Sequence, residues 1–161
     1  MLQYMNETLT RAWKGAYEGG WDLWVATDNY NDAPKHRDDN ELPVGSEPPI
    51  SSDYHSPFIG KTLEECAKWL QGAPDDVALH KTYFTALDEH SKEDDTVMMC
   101  RIVESKGEGE VKLEYFPLET DTIQMYIATS DGLKFDERAL NYQRQRMQDG
   151  KPDRSKAGPY Q

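Results

Sequence analysis

Thr96-Val97-Met98-Met99-Cys100-Arg101-Ile102-Val103 is the most apolar stretch of the chain. Its apolar residues fall at both parities, so a strand built from it needs cover on both faces and belongs at the centre of a sheet. The turn residues Lys106-Gly107-Glu108-Gly109 follow, and then Glu110 to Pro117 alternates. There Val111, Leu113 and Tyr115 oppose Lys112 and Glu114, and the two runs read as an antiparallel hairpin. Everything else must cover this hairpin.

The cover is legible in pieces. Met5, Leu9, Ala12 and Ala16 recur at helical spacing with Trp13 beside them, between a capping Asn6 and Gly19-Gly20, which predicts a helix near 6–17. Thr62-Leu63-Glu64-Glu65 has the spacing of a capping box. With Leu63, Cys66, Ala67 and Leu70 on one face, it predicts a helix over 63–71 that stops at Gly72 and Pro74. Phe135, Ala139 and Tyr142 stripe a last helix over 134–147. Aromatic and β-branched composition predicts further strands at 21–27, 81–88 and 122–129. Trp21 and Trp24 have opposite parity in the first of these, so they cannot share a face of a regular strand.

The order α-β-loop-α-β-β-β-β-α predicts an α/β fold on the border of α+β. It would be a single domain over 1–149 with a mixed sheet of about five strands and helices packed on it. The first two strands would be parallel through a right-handed crossover. Residues 28–60 hold five of the nine prolines and many acids, with neither period, and read as a long acidic loop. Residues 150–161 carry no apolar stripe and read as a mobile tail.

A chain of 161 residues with four Trp, nine Tyr and four Phe can bury a core without disulfides or metal. No apolar run approaches the roughly 20 residues of a membrane span. The N-terminus lacks the charged and apolar regions of a secretory signal, so a cytoplasmic location and free, buried Cys66 and Cys100 are expected. The net charge is −12, distributed as −15 over residues 1–133 and +3 over 134–161. A field of that sign disfavours nucleic acid and anionic membrane as partners.

Three stretches resemble an uncharacterised family of small α/β domains known mainly from actinobacteria. They are Val25-Ala26-Thr27-Asp28-Asn29-Tyr30-Asn31-Asp32-Ala33, Phe58-Ile59-Gly60-Lys61-Thr62 leading into Glu64, and Ile127-Ala128-Thr129-Ser130-Asp131 with Phe135-Asp136-Glu137. The resemblance implies a mixed α/β fold whose first strand ends at Thr27-Asp28 and whose last strand precedes an acidic helix start. It implies no activity.

Ligands of open α/β sheets gather beyond the carboxyl ends of parallel strands. That places Asp28, Tyr30 and His55 as candidate catalytic residues, a His and a carboxylate being the ordinary acid/base pair. Trp24, Asp32, His36 and Tyr54 are the candidate ligand-binding residues around them. Asp and Asn at strand ends more often serve as turn residues. Asp28, Asp32, Asp38, Asp39 and His36 fail the EF-hand spacing. The histidines at 36, 55, 80 and 90 have no short ligand spacing, so no metal is expected. No phosphate loop or nucleophile elbow is present, and no cofactor is expected. The leading expectation is a non-catalytic domain that binds a small apolar molecule or a protein. The alternatives are a cofactor-independent cyclase, isomerase or hydratase acting on a small apolar substrate, and an acidic protein whose Asp38-Asp39-Asn40-Glu41 neutralises a basic partner.

Overall fold

The computed structural model describes residues 2–14, 21, 23–36, 45–103, 112–128, 132–150 and 153–156. Its helices are α1 (Leu2–Lys14), α2 (Leu63–Gln71), α3 (Ser91–Asp94), α4 (Ile123–Ala128) and α5 (Gly132–Asp149). Its strands are β1 (Tyr83–Ala86), β2 (Thr96–Val103) and β3 (Lys112–Glu119). They form one antiparallel sheet in the order β1-β2-β3. The class remains a mixture of helices and strands, but the mixed sheet of about five strands is corrected to three antiparallel strands among the described residues. No parallel crossover joins them.

β2 is central, and Val97, Met98, Met99, Cys100 and Ile102 are buried. It pairs Phe84 with Cys100 on one side and Tyr115 with Cys100 on the other. The expected β2–β3 turn at 106–109 lies outside the described residues. Alternation along the strands separates two cores. On one face Val97, Met99, Phe116 and Leu118 meet Leu9 and Ala12 of α1, Ile123 and Tyr126 of α4, and Phe135 and Ala139 of α5. On the other, Ile102 and Leu113 meet Ala67 and Leu70 of α2, with Phe84 and Tyr115 against them.

α2 has the bounds its sequence predicts. Thr62 Oγ1 accepts from the Glu65 amide at 3.2 Å and Glu65 Oε2 accepts from the Thr62 amide at 2.8 Å, so both halves of the capping box form. α1 begins earlier than predicted because Asn6 does not cap it. Asn6 instead clamps the loop, taking the Ile50 amide on Oδ1 at 2.6 Å and donating from Nδ2 to the Ile50 carbonyl at 3.5 Å.

Two expected strands are not strands. Residues 23–27 form no strand and stay out of the sheet. The Trp21 and Leu23 carbonyls accept from the Gly45 and Ser46 amides at 2.7 and 2.9 Å, and the Val25 amide donates to Ser46 Oγ at 2.9 Å. Their backbone bonds therefore go to the returning loop, while Trp21, Leu23 and Val25 pack on the first core. The stretch expected as a strand at 122–129 is α4 where it is described. Ile123 and Tyr126 are buried and Met125 is 41% exposed, which is a helical and not an alternating pattern.

Asp153–Lys156, inside the expected mobile tail, lie against the sheet. Gly150, with φ +67°, ends α5, and its amide donates to the Arg146 carbonyl at 2.9 Å. A glycine there takes the left-handed turn without a Cβ penalty, and the chain returns toward β3.

Candidate functional site

The residues predicted at the end of the 23–27 segment are placed as structural ties. Tyr30 donates from its hydroxyl to the Trp69 carbonyl at 2.5 Å and stacks on the Trp69 ring at 4.6 Å. Gly72 leaves room for this contact, since a Cβ there would stand 3.1 Å from the Tyr30 hydroxyl. Tyr54 donates to the Ala26 carbonyl at 2.7 Å. Burial raises both phenol pKa values, which keeps them as hydroxyl donors. Trp24 stacks on Trp69 at 6.3 Å, and Phe58 meets the same ring edge-on at 5.2 Å. The opposite parity of Trp21 and Trp24 is thus realised as two separate apolar clusters.

The titratable members other than Asp28 each have their own partners. His55 donates from Nδ1 to the Asp53 carbonyl at 2.9 Å, and the His36 amide donates to the Asp76 carbonyl at 3.2 Å. Asp32 accepts from Thr27 Oγ1 at 3.3 Å. Asp28 is exposed and has no hydrogen-bond partner among the described residues. No hydrogen bond there joins Asp28 to either histidine. The structure brings Trp24 and Tyr30 together through Trp69, and among the described residues no hydrogen bond or ion pair joins Asp28, Tyr30 and His55. Among the described residues no three His, Cys, Asp or Glu side chains group to hold a metal ion.

A better-built site lies at the outer edge of β3. The Lys156 amide donates to the Tyr115 carbonyl at 2.8 Å, and the Tyr115 amide donates to the Lys156 carbonyl at 3.0 Å. This is an antiparallel bridge added to the sheet. Two residues earlier, Arg154 lies across the sheet with its side chain only 11% exposed. Its Nη2 donates to Asp88 Oδ1 at 2.6 Å, and its Nη1 donates to Asp94 Oδ2 at 2.9 Å and to Thr96 Oγ1 at 3.1 Å. Nη2 also stands 3.6 Å from Met98 Sδ. The Arg154 amide donates to the Tyr142 hydroxyl at 3.4 Å.

Asp88 is held in place without Arg154. Its Oδ1 accepts from Ser91 Oγ at 2.9 Å and from the His90 amide at 3.1 Å, and its own amide donates to Ser91 Oγ at 3.0 Å. Burial works against its charge, but the bonds from Arg154 and Ser91 outweigh that and hold the carboxyl below its ordinary value. Beside this groove, α5 and β3 flank a cleft of about 210 Å³ lined by Pro117, Glu119, Arg138, Tyr142 and Arg144 among others.

No protein family, no curated protein and no solved structure matches the chain. Among the described residues no helix is long and apolar enough to cross a membrane.

Sequence reasoning passes over Arg154, Asp88 and Asp94. Arg154 is 66 and 60 residues from its two carboxylate partners. The legible signal is the basic end of an otherwise acidic chain, a contrast of +3 against −15.

Proposed function

We propose that this chain is a non-catalytic protein-binding domain that takes extended polypeptide at the outer edge of β3. The observation that carries the reading is the bridge between Tyr115 and Lys156: an extended segment is already paired to that edge through its main chain. Sheet edges recognise peptides this way, with main-chain bonds for affinity and pockets for alternate side chains for specificity. Pro117 supports the assignment of an edge, since a strand proline is tolerated where no ladder amide is required. The commitment of Tyr30, Tyr54 and His55 to backbone carbonyls favours binding over acid/base chemistry at the 23–36 segment.

The test is NMR of the isotope-labelled full chain carrying Arg154→Ala, titrated with extended twelve-residue peptides that are basic, neutral or acidic. At least one class is expected to shift the amides of Leu113, Tyr115 and Glu119. Saturating peptide of every class without a shift at those amides would remove the reading.

A further inference from the structure

We propose that the groove formed by the β3 edge with Asp88 and Asp94 is a receptor for an Arg-x-Lys segment of another polypeptide, which the chain's own Arg154-Ser155-Lys156 occupies in cis. This rests on the strand-pairing reading above and deepens it by naming the chemistry of the partner.

The spacing comes from strand geometry. Side chains two apart point to the same side of an extended chain. Lys156 stands opposite Tyr115, so its side chain shares the Tyr115 face of the sheet, which is the face packed by α2. Lys156 Nζ accordingly lies 3.8 Å from Glu64 of α2. Arg154 falls on the same side and crosses Met98 to reach Asp88 and Asp94. The intervening Ser155 turns back on its own segment, donating from its amide and from Oγ to Asp153 Oδ1 at 2.9 and 2.7 Å, and meets neither carboxylate of the groove. The groove therefore reads arginine, skips one residue, and reads a cation again.

The groove is preorganised for a guanidinium. Ser91 and the His90 amide fix Asp88, and Asp95, in the left-handed conformation at φ 57°, turns the chain from α3 into β2 so that Asp94 and Thr96 flank the same point. Two carboxylates and a hydroxyl then meet the two terminal nitrogens of one fork, a geometry that a lysine's single ammonium cannot reproduce. The surrounding charge of −12 favours the encounter with a basic segment.

Among the described residues the other ties of the cis occupant are few, one being the Arg154 amide on the Tyr142 hydroxyl at 3.4 Å. Its main chain forms a bridge at one residue pair. Arg154 Nε is buried with no acceptor among the described residues. The pairs Arg146–Asp153 at 3.5 Å and Lys156–Glu64 at 3.8 Å are at least partly exposed and screened by salt. Occupancy comes instead from tethering, because a short linker after α5 gives an effective concentration of order millimolar. A partner segment with the same two cations and a longer pairing strand competes against that tether.

The experiment uses the full chain and, as probe, a fluorescent synthetic peptide with the sequence of residues 149–161. Anisotropy is measured on the native chain, on Arg154→Ala and on the milder Arg154→Lys, with circular dichroism confirming each fold. Both variants are expected to bind the peptide at least tenfold more tightly than the native chain does. Replacing the peptide's arginine by alanine, or adding Asp94→Asn to Arg154→Lys, is expected to remove that binding. Equal binding by native and variant chains, or binding indifferent to the peptide's arginine, would overturn the proposal. So would concentration-dependent dimers of the native chain that disappear in Arg154→Lys, since the groove would then belong to a second copy's tail. If neutral or acidic peptides shift the β3 amides and this peptide does not, the strand-pairing reading survives and the Arg-x-Lys assignment fails.

Discussion

Arg101 on β2 and its cross-strand neighbour Glu114 on β3 form an ion pair over the first core, and removing the arginine has a calculable consequence. Its Nε and Nη2 both donate to Glu114 Oε2, Nε at 2.9 Å, and Nη2 also reaches Asp136 Oδ1 at 2.5 Å. The guanidinium carbon stands 4.2 Å from the centre of the Phe135 ring. The Arg101 and Glu114 side chains are 16% and 9% exposed, and that of Asp136 is 45% exposed. Burial works against the arginine's charge, but Glu114 and Asp136 more than restore it and raise its pKa.

In Arg101→Met the aliphatic stem is kept and the charge is lost. Glu114 stays buried without the arginine, a situation that costs about 3 to 5 kcal/mol. The exposed Asp136 contact adds less than about 1 kcal/mol, and the cation–π contact about 0.5 to 1 kcal/mol. The Glu114 effect wins, so a loss of about 3 to 5 kcal/mol is expected out of a typical 5 to 15. At this chain length that corresponds to a fall in Tm of about 6 to 20 °C. Urea unfolding should show the midpoint moving at constant m. Arg101→Met/Glu114→Leu should recover most of the loss, because an apolar pair leaves no buried charge. A single-variant loss below about 1 kcal/mol at unchanged m, or a double variant as unstable as the single, would refute the assignment.

Ile102→Ala opens a cavity between α2 and the sheet, where Ile102 is 6% exposed beside Ala67, Leu70 and Leu113. Urea unfolding should show a loss of about 2 to 5 kcal/mol, and a negligible one would remove β2 from the centre. Thr62→Ala deletes one half of the capping box and should cost about 1 kcal/mol, with the earliest loss of amide protection at Glu65 and Cys66. Cys100 is fully buried and burial pushes its thiol pKa far up, whereas Cys66 is half-buried and raised by burial and then by Glu65. A thiol reagent should therefore label Cys66 first, and native labelling of Cys100 at an equal rate would contradict the packing. Asp88 is depressed below its ordinary 3.8. Its contribution to tail docking is thus full above that value and is lost as pH falls through the lower, folded value. The Lys156 amide, which donates to the Tyr115 carbonyl, should hold its signal from neutral pH down to about 4 and move only below it; a transition near pH 6 would point to a histidine instead.

What the sequence discloses here depends on how far apart the deciding residues lie. β2 and α2 are legible because their evidence is local: an apolar run at both parities, and a threonine three residues before its glutamate. The segment 23–27 is not, since the residues that satisfy its backbone, Gly45 and Ser46, come about twenty positions later. Aromatic and β-branched composition reports a half-buried extended chain and says nothing of which edge it joins. Ile123, Met125 and Ile127 alternate, yet Ile123, Tyr126 and Ile127 also fit a helix, and six residues cannot separate the two periods. The turn at Thr120–Thr122, tied to Glu119 through Thr122 Oγ1 at 2.9 Å, starts the helix.

The tail shows the deeper reason. Apolar periodicity finds segments that dock by burying hydrocarbon, and residues 150–161 have no such period. Asp153–Lys156 dock by another route, through one arginine that places its terminal N–H groups on acceptors between β1 and β2 and one residue that lends its main chain to β3. Such a contact has no sequence period, because the arginine needs only the right acceptors in space. Only the charge contrast between the chain's two ends hints at it. Under the exchange proposed above, the affinity for the tail peptide gained on releasing Arg154 measures how strongly the acidic body holds its own basic segment.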